Sequence, residues 1–243
     1  MAISVEEISK KAAELEKLSA QDVLKWAIDS FGSKIAMASS FQCEESVMID
    51  MLHKIYGNGK AFRIFTLDTG RLNEETYEVM ERLREKYGIA IESQFPEREA
   101  VEKLEKEKGF FSFRQSIENR KECCSIRKVV PLNRMLGQLD GWITGLRSAQ
   151  SMTRTNTPKV EIDVPRKGLV KVNPLIDWSN DQVWDYIKKN KIPYNKLHDT
   201  GYPSIGCAPC TRPIKPGEDI RAGRWWWENP EQKECGLHES KAK

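Results

Sequence analysis

The sequence predicts an α/β fold: a mostly parallel sheet with helices on both faces, followed by an irregular C-terminal tail that carries chemistry. Three observations predict it. Short apolar runs alternate with segments of helical periodicity. The apolar runs are nearly continuous, as strands covered on both faces are. From about residue 195 the periodicity gives way to a stretch dense in Gly, Pro, Arg and Trp.

The elements follow in order. Ser4 and Glu7 form a capping box, and Val5, Ile8, Ala12 and Leu15 recur at helical spacing, so residues 5–18 are expected as an amphipathic helix, with a second over 20–31. "KIAMAS" (34–39) reads as a strand, and 44–55 as a helix with Val47, Met48, Met51, Leu52 and Ile55 on one face. "AFRIFTLD" (61–68) is the next strand, 73–87 the next helix with Tyr77, Met80, Leu83 and Tyr87 inward, and "IAIESQF" another strand. A helix beginning around Cys124, the strand "GWITGL" (141–146) and a helix capped by Ser179 with Gln182 in the capping box complete the layer. Residues 1–210 are expected to form the body and 211–243 a flexible segment. The Trp225–Trp227 run suits either packing of that segment onto the body or a ligand or partner surface.

Composition narrows the function. With 243 residues the chain can bury a full core unaided. Lys and Arg number 39 against 36 Asp and Glu, and the net charge of +3 argues against a nucleic-acid surface, so any anion must be met by locally placed cations. No apolar leader and no membrane span are read from the sequence, which sets the expected compartment as the cytoplasm. Thiols stay reduced there, so six cysteines read as metal ligands, catalytic thiols or small buried hydrophobes before disulfides.

Their spacing carries the strongest signal. Cys207 and Cys210 form a C-x-x-C that can aim two thiolates at one ion, and Cys123 and Cys124 add two more. A redox dithiol or half a zinc site accounts for the C-x-x-C but not for the adjacent pair. Neighbouring helical residues diverge by roughly 100°, which reaches two corners of a bulky cluster more readily than one small ion. A 4Fe-4S cluster, a zinc ion held by four cysteines and plain buried thiols all remain open at this point, in that order. Cys43 reads as a structural thiol. Cys235, in a polar tail, reads as exposed, and is either incidental or a nucleophile that needs cationic help, since a free thiol with a pKa of about 8.5 is mostly protonated at neutral pH. His53 reads as a surface residue, and His198 as a group orienting the loop before Cys207.

"ASSFQCEES" (38–46) places Ser39, Ser40 and a run of amides at a strand-to-helix junction, where the helix dipole favours phosphate or sulfate, although no Walker A loop is present. "LDTG" (67–70) and "TGLRSAQSMTR" (144–154) end neighbouring strands, so all three loops open on the carboxyl edge of the sheet, where a nucleotide crevice forms. Arg71, Lys128, Arg147 and Arg154 together make an anion pocket there.

These motifs resemble the assimilatory adenylyl-sulfate reductases, relatives of the phosphoadenylyl-sulfate reductases on an adenine-nucleotide alpha-hydrolase-like fold. The resemblance runs from "SSFQ" through "LDTG", "KECCSIRKVVPL", "TGLRSAQSMTR" and "GYPSIGCAPCTRP" to "RAGRWWWENPEQKECGLH". It implies a 4Fe-4S cluster on Cys123, Cys124, Cys207 and Cys210, and Cys235 as the nucleophile that takes the sulfonate. It implies substrate contacts from Ser39, Ser40, Leu67, Thr69, Lys128, Gly145, Arg154, Arg221, Arg224 and His238. It further implies adenylyl sulfate as substrate, thioredoxin or a glutaredoxin-like dithiol as reductant, sulfite as product, and allows a homo-oligomer; reduction of the 3′-phosphorylated substrate is the alternative within the class. The loop departs from the family's S-F-G-A-E-D pattern, reading Ser40, Phe41, Gln42, Cys43, Glu44, Glu45. A nucleic-acid thiolation enzyme and a zinc-binding interaction module are the competing readings from other classes.

Overall fold

Strand β1 (Ile35–Ala38) is central, with β2 (Arg63–Leu67) and β4 (Gly141–Ile143) parallel to it on either side. Strands β3 (Glu92–Gln94) and β6 (Leu169–Val172) extend the sheet in parallel, and β5 (Val160–Asp163) closes it antiparallel to β6, giving the order β3-β2-β1-β4-β6-β5. This is a computed structural model, and it describes residues 5–57, 61–150, 157–166 and 168–229. Among them no helix is long and apolar enough to cross a membrane.

Alternation along each strand divides the core between the two faces of the sheet. Ile35 and Met37 of β1, Ile64 of β2 and Ile143 of β4 face one cluster, together with buried residues of α1 (Val5–Leu15), α2 (Ala20–Phe31), α3 (Cys43–Tyr56), α4 (Glu74–Tyr87) and α8 (Asn180–Asn190). Ala36, Phe65 and Trp142 face the other, against Leu132, Met135 and Leu136 of α7 (Val130–Leu136). Helices thus cover both faces, and the α/β class expected from the sequence is the observed one.

Most elements lie within a few residues of their expected positions, and the Ser179–Gln182 capping box of α8 is present in both directions. The first helix ends at Leu15, three residues early, and Ser4 lies outside the described residues. Three readings need correction. Tyr77 does not face inward: it is exposed and donates its hydroxyl to Asp68, while Thr76, Val79, Leu83 and Tyr87 fill the buried face of α4. His53 is half-buried with its ring 5.1 Å from that of Tyr87. The helix expected to begin around Cys124 instead ends its first section there. It starts as α6 (Ile117–Cys124), capped by the Ser116 hydroxyl, and passes through a wide i→i+5 turn at Ser125–Val129 into α7. The sequence reading also lacks α5 (Arg98–Lys108), β5 and β6.

Residues 211–229 are joined to the preceding chain by specific contacts. Thr211 pairs with Arg224 in an antiparallel bridge, Trp225 donates its N–H to the Cys210 carbonyl oxygen, and the Trp225 ring is buried. Arg120 of α6, fully buried, donates to the Glu228 carboxylate at 2.9 Å and lies 4.8 Å from the centre of the Trp225 ring. A buried ion pair is strongly destabilising when halved, so this one fixes where the segment runs.

Candidate active site

The carboxyl ends of β1, β2 and β4 open into a crevice of about 430 Å³, large enough for a small nucleotide. Eight residues expected from the sequence line it: Ser39, Ser40, Leu67, Thr69, Lys128, Gly145, Arg221 and Arg224. Arg154, His238 and Cys235 lie outside the described residues.

The β1–α3 turn forms the first wall. Phe41 occupies the left-handed region at φ 56°, held there by its buried ring and by the Ser39 hydroxyl, which accepts its N–H. Gln42 caps α3: its own N–H goes to the Glu45 carboxylate at 3.0 Å, and its side-chain oxygen accepts the Ile205 N–H at 2.8 Å. The amides of Phe41 and Gln42 are therefore engaged within the protein. Glu44 and Glu45 are both buried here. Burial, and then the neighbouring Glu44, push the Glu45 carboxyl up to about 8, while Glu44 accepts from the Arg147 guanidinium at 2.7 Å and from Gln150 at 2.9 Å. Gly145, on the β4 wall, has no room for a side chain: a Cβ there would lie 2.2 Å from Glu45 Oε1.

The second wall comes from distant chain. Gly206 packs so closely on Arg224 that a Cβ would meet its Nη2 at 2.4 Å, and Arg224 Nη1 donates to the Ile205 carbonyl oxygen at 3.1 Å. Arg224 is buried, and its guanidinium lies 4.8 Å from the centre of the Trp225 ring, on a residue that is itself held at φ 42°. Of the three non-glycine residues with positive φ among those described, Trp225 lines this crevice and Phe41 lies between Ser40 and Gln42, which also line it.

Behind Lys128, Cys207 and Trp225, which line both spaces, lies a smaller cavity bordered by Cys123, Cys124, Cys207 and Cys210. The helix that turns at Ser125 brings Cys123, Cys124, Arg127 and Lys128 to it, and the Ala208–Cys210 turn brings the other two thiols, anchored by Ala208 N–H to the Arg71 carbonyl oxygen. Arg71 belongs to this cavity and not to the crevice: it pairs with Glu105, as does Arg127, which also donates to the Thr69 carbonyl oxygen at 2.7 Å. The thiols differ. Burial raises Cys123, and burial followed by Cys207 raises Cys210 to about 12. Burial would raise Cys207 too, but Lys128, the Thr69 hydroxyl 3.3 Å away and Arg224 outweigh it and hold this thiol below its ordinary value. Cys43, deep in the core, is pushed far up by burial and is an inert thiol, as expected.

The sequence reading gathered the three sheet loops but missed Gln42, Thr144, Gln150 and Asn180 of the crevice, and the Arg120–Glu228 pair. Gln150 stood in the quoted "TGLRSAQSMTR" motif, three residues after Arg147; Glu228 carried no signal of its partner.

The model of the phosphoadenosine phosphosulfate reductase domain matches residues 34–213, which span all six strands and every cysteine of the cavity. An adenosine 5′-phosphosulfate reductase of Burkholderia cepacia is 48% identical over 227 residues, 93% of this chain and 88% of that protein. The chain belongs to the adenosine 5′-phosphosulfate reductase family. As a member it is an oxidoreductase. Within the family, an adenosine 5′-phosphosulfate reductase of Neisseria meningitidis is 50% identical over 83% of this chain and 80% of its own. A crystal structure of phosphoadenylyl-sulfate reductase from Candida auris superposes with a TM-score of 0.71 at 29% identity, covering 86% of this chain and 98% of that one. An FMN adenylyltransferase of Candida glabrata, at 11% identity and a TM-score of 0.54 over 96% of this chain and 81% of its own, shares the fold.

Proposed function

We propose that this family member reduces adenylyl sulfate to sulfite and AMP with a thioredoxin-type dithiol, through an S-sulfocysteine on Cys235. The observation that carries the reading is the shared wall: Lys128, Cys207 and Trp225 border both the nucleotide-sized crevice and the four-cysteine cavity. A sulfated nucleotide in the crevice therefore presents its anionic end beside the cysteine assembly.

The steps balance. The Cys235 thiolate attacks the sulfur of the sulfate group, the S–O bond to the phosphate breaks, and AMP leaves with the electron pair. Lys128, Arg221 and Arg224, with Arg154 and His238 by family resemblance, neutralise the two anions that must approach. A thiolate of the dithiol protein then attacks Cys235 Sγ and sulfite departs with the S–S electron pair. The second thiolate resolves the mixed disulfide and regenerates the Cys235 thiolate, so two electrons pass from the dithiol to sulfur and two protons are released.

Cys123, Cys124, Cys207 and Cys210 fit a 4Fe-4S cluster. Their donor set is four soft thiols around one cavity, with Arg71, Arg120, Arg127 and Lys128 on its walls to offset thiolate charge. Adjacent cysteines on one helix diverge by roughly 100°, which suits two corners of a bulky cluster better than one zinc ion. When bound, the cluster would neutralise part of the charge of the four thiolates and link α6 to the Cys207–Cys210 turn, and the scheme above draws no electrons from it.

Intact mass tests the reading. Reduced, cluster-loaded protein incubated with adenylyl sulfate and no dithiol is expected to gain one sulfonate, and the Cys235→Ser variant none. An adduct only with the 3′-phosphorylated donor would move the assignment to phosphoadenylyl-sulfate reduction, and no adduct with either would overturn it.

A further inference from the structure

One surface feature is unused by this chemistry. Phe110, Phe111 and Trp226 are 65%, 57% and 38% exposed, large values for aromatic side chains that a monomer gains by burying. Phe111 and Trp226 belong to one assembly around Arg114, and Phe110 directly precedes Phe111 in the chain. The Arg114 guanidinium lies 5.1 Å from the ring centre of Phe111, 5.7 Å from Phe113, 5.5 Å from Trp226 and 5.6 Å from Trp227. Trp226 and Trp227 stand edge to face at 4.7 Å, and Phe113 reaches inward to line the cysteine cavity. Arg114 itself is exposed, and its hydrogen bond among the described residues goes to the Pro209 carbonyl oxygen. Phe, Trp and Arg held rigidly by mutual stacking are the composition that dominates protein–protein recognition.

We infer that Phe110, Phe111, Arg114 and Trp226 form the platform on which the dithiol protein docks to resolve Cys235. This rests on the S-sulfocysteine reading above. The occupant follows from chain length. Cys235 lies nine residues beyond Trp226, so its thiol cannot travel more than about 30 Å from this surface. Any protein that attacks Cys235 Sγ must therefore settle within that radius, and a platform of this kind offers it an apolar anchor there. The partner chemistry is a folded protein whose exposed dithiol is rimmed by apolar residues, with an acidic or carbonyl group to meet Arg114. In this step the partner thiolate forms the bond to Cys235 Sγ, sulfite leaves with the electron pair, and the partner's second thiol completes its own disulfide.

The test uses full-length, cluster-loaded protein carrying Phe110→Ala with Phe111→Ala, and separately Phe110→Ala alone. Three rates are measured: adduct formation on Cys235 without reductant, sulfite release by the small dithiol dithiothreitol, and sulfite release across a range of thioredoxin concentrations. The expected result is unchanged adduct formation, unchanged release by dithiothreitol, which needs no docking, and a KM for thioredoxin raised about tenfold. Unchanged thioredoxin kinetics would overturn the platform. So would a change in molar mass by light scattering in the variants, which would assign the surface to contact between copies. Absence of any adduct on the unsubstituted protein would instead overturn the underlying S-sulfocysteine reading, and a variant with impaired adduct formation would be replaced by Phe111→Ser alone to separate misfolding from docking.

Discussion

The two walls of the crevice are built by opposite means. One is made of three loops that end neighbouring parallel strands, where β1, β2 and β4 deliver Ser39, Thr69 and Gly145 to the same edge because the ladder leaves no other register. The other, Ile205–Trp225 with its thiols, has little regular structure and is held by a few separate contacts: Gln42 to Ile205, Arg71 to Ala208, Arg114 to Pro209 and Arg120 to Glu228. Periodic hydrogen bonding positions a wall cheaply and redundantly. A wall held by a few buried polar contacts is specific but vulnerable to the loss of one of them.

Arg120→Met should break this contrast most severely. It strands the buried Glu228 carboxylate, and a loss of about 3–5 kcal/mol in urea unfolding is expected, with the Trp fluorescence of the 225–227 run changing before far-UV circular dichroism. Simultaneous loss of both signals with little change in midpoint would show that the two walls are equally redundant. Next in size is Gly145→Ala, which drives a Cβ into Glu45 and displaces the β4 loop; a drop of about 100-fold in the rate of adenylyl-sulfate reduction, with the unfolding midpoint nearly intact, is the expected outcome.

Glu45 sharpens the comparison through pH. Its folded value of about 8 lies above the ordinary carboxyl value of 4.5, so the folded protein holds this proton more tightly than the unfolded chain. The stability it permits is complete below pH 4.5 and is lost as pH rises from 4.5 to about 8. Glu45→Gln should flatten that part of the profile of unfolding free energy against pH; an unaltered slope would place the titration elsewhere. The smallest effect belongs to the periodic part of the molecule. Ser179→Ala removes one half of the α8 capping box and should cost about 1 kcal/mol with no change in the rate of adenylyl-sulfate reduction.

What was legible follows the same division. The Ser179–Gln182 box, the apolar face of 44–55 and the "KIAMAS" strand act over a few residues, and each was read where it stands. Tyr77 was misread because helical spacing cannot tell a core ring from one whose hydroxyl is drawn to a carboxylate; Asp68, at the end of the preceding strand, decides it. Strands β5 and β6 escaped notice because each is four residues long and interrupted by Glu161 or Lys171, which pair with one another across the sheet. The cysteine pair was recognised by spacing, but its helix was misplaced: the wide turn at Ser125 carries no residue that announces it.

By itself the sequence determined the α/β class, the three loops on one sheet edge and the four thiols as a set, because each rests on spacing along the chain or on the fixed geometry of parallel strands. Only the tertiary structure decided that the thiols stand behind Lys128 on the wall of the crevice, that Glu45 fills the place of a Gly145 side chain, and that Arg120 and Glu228, 108 residues apart, hold the last described residues against the body. Those are contacts between residues with no periodic relation, chosen by shape and by the cost of leaving a buried charge alone.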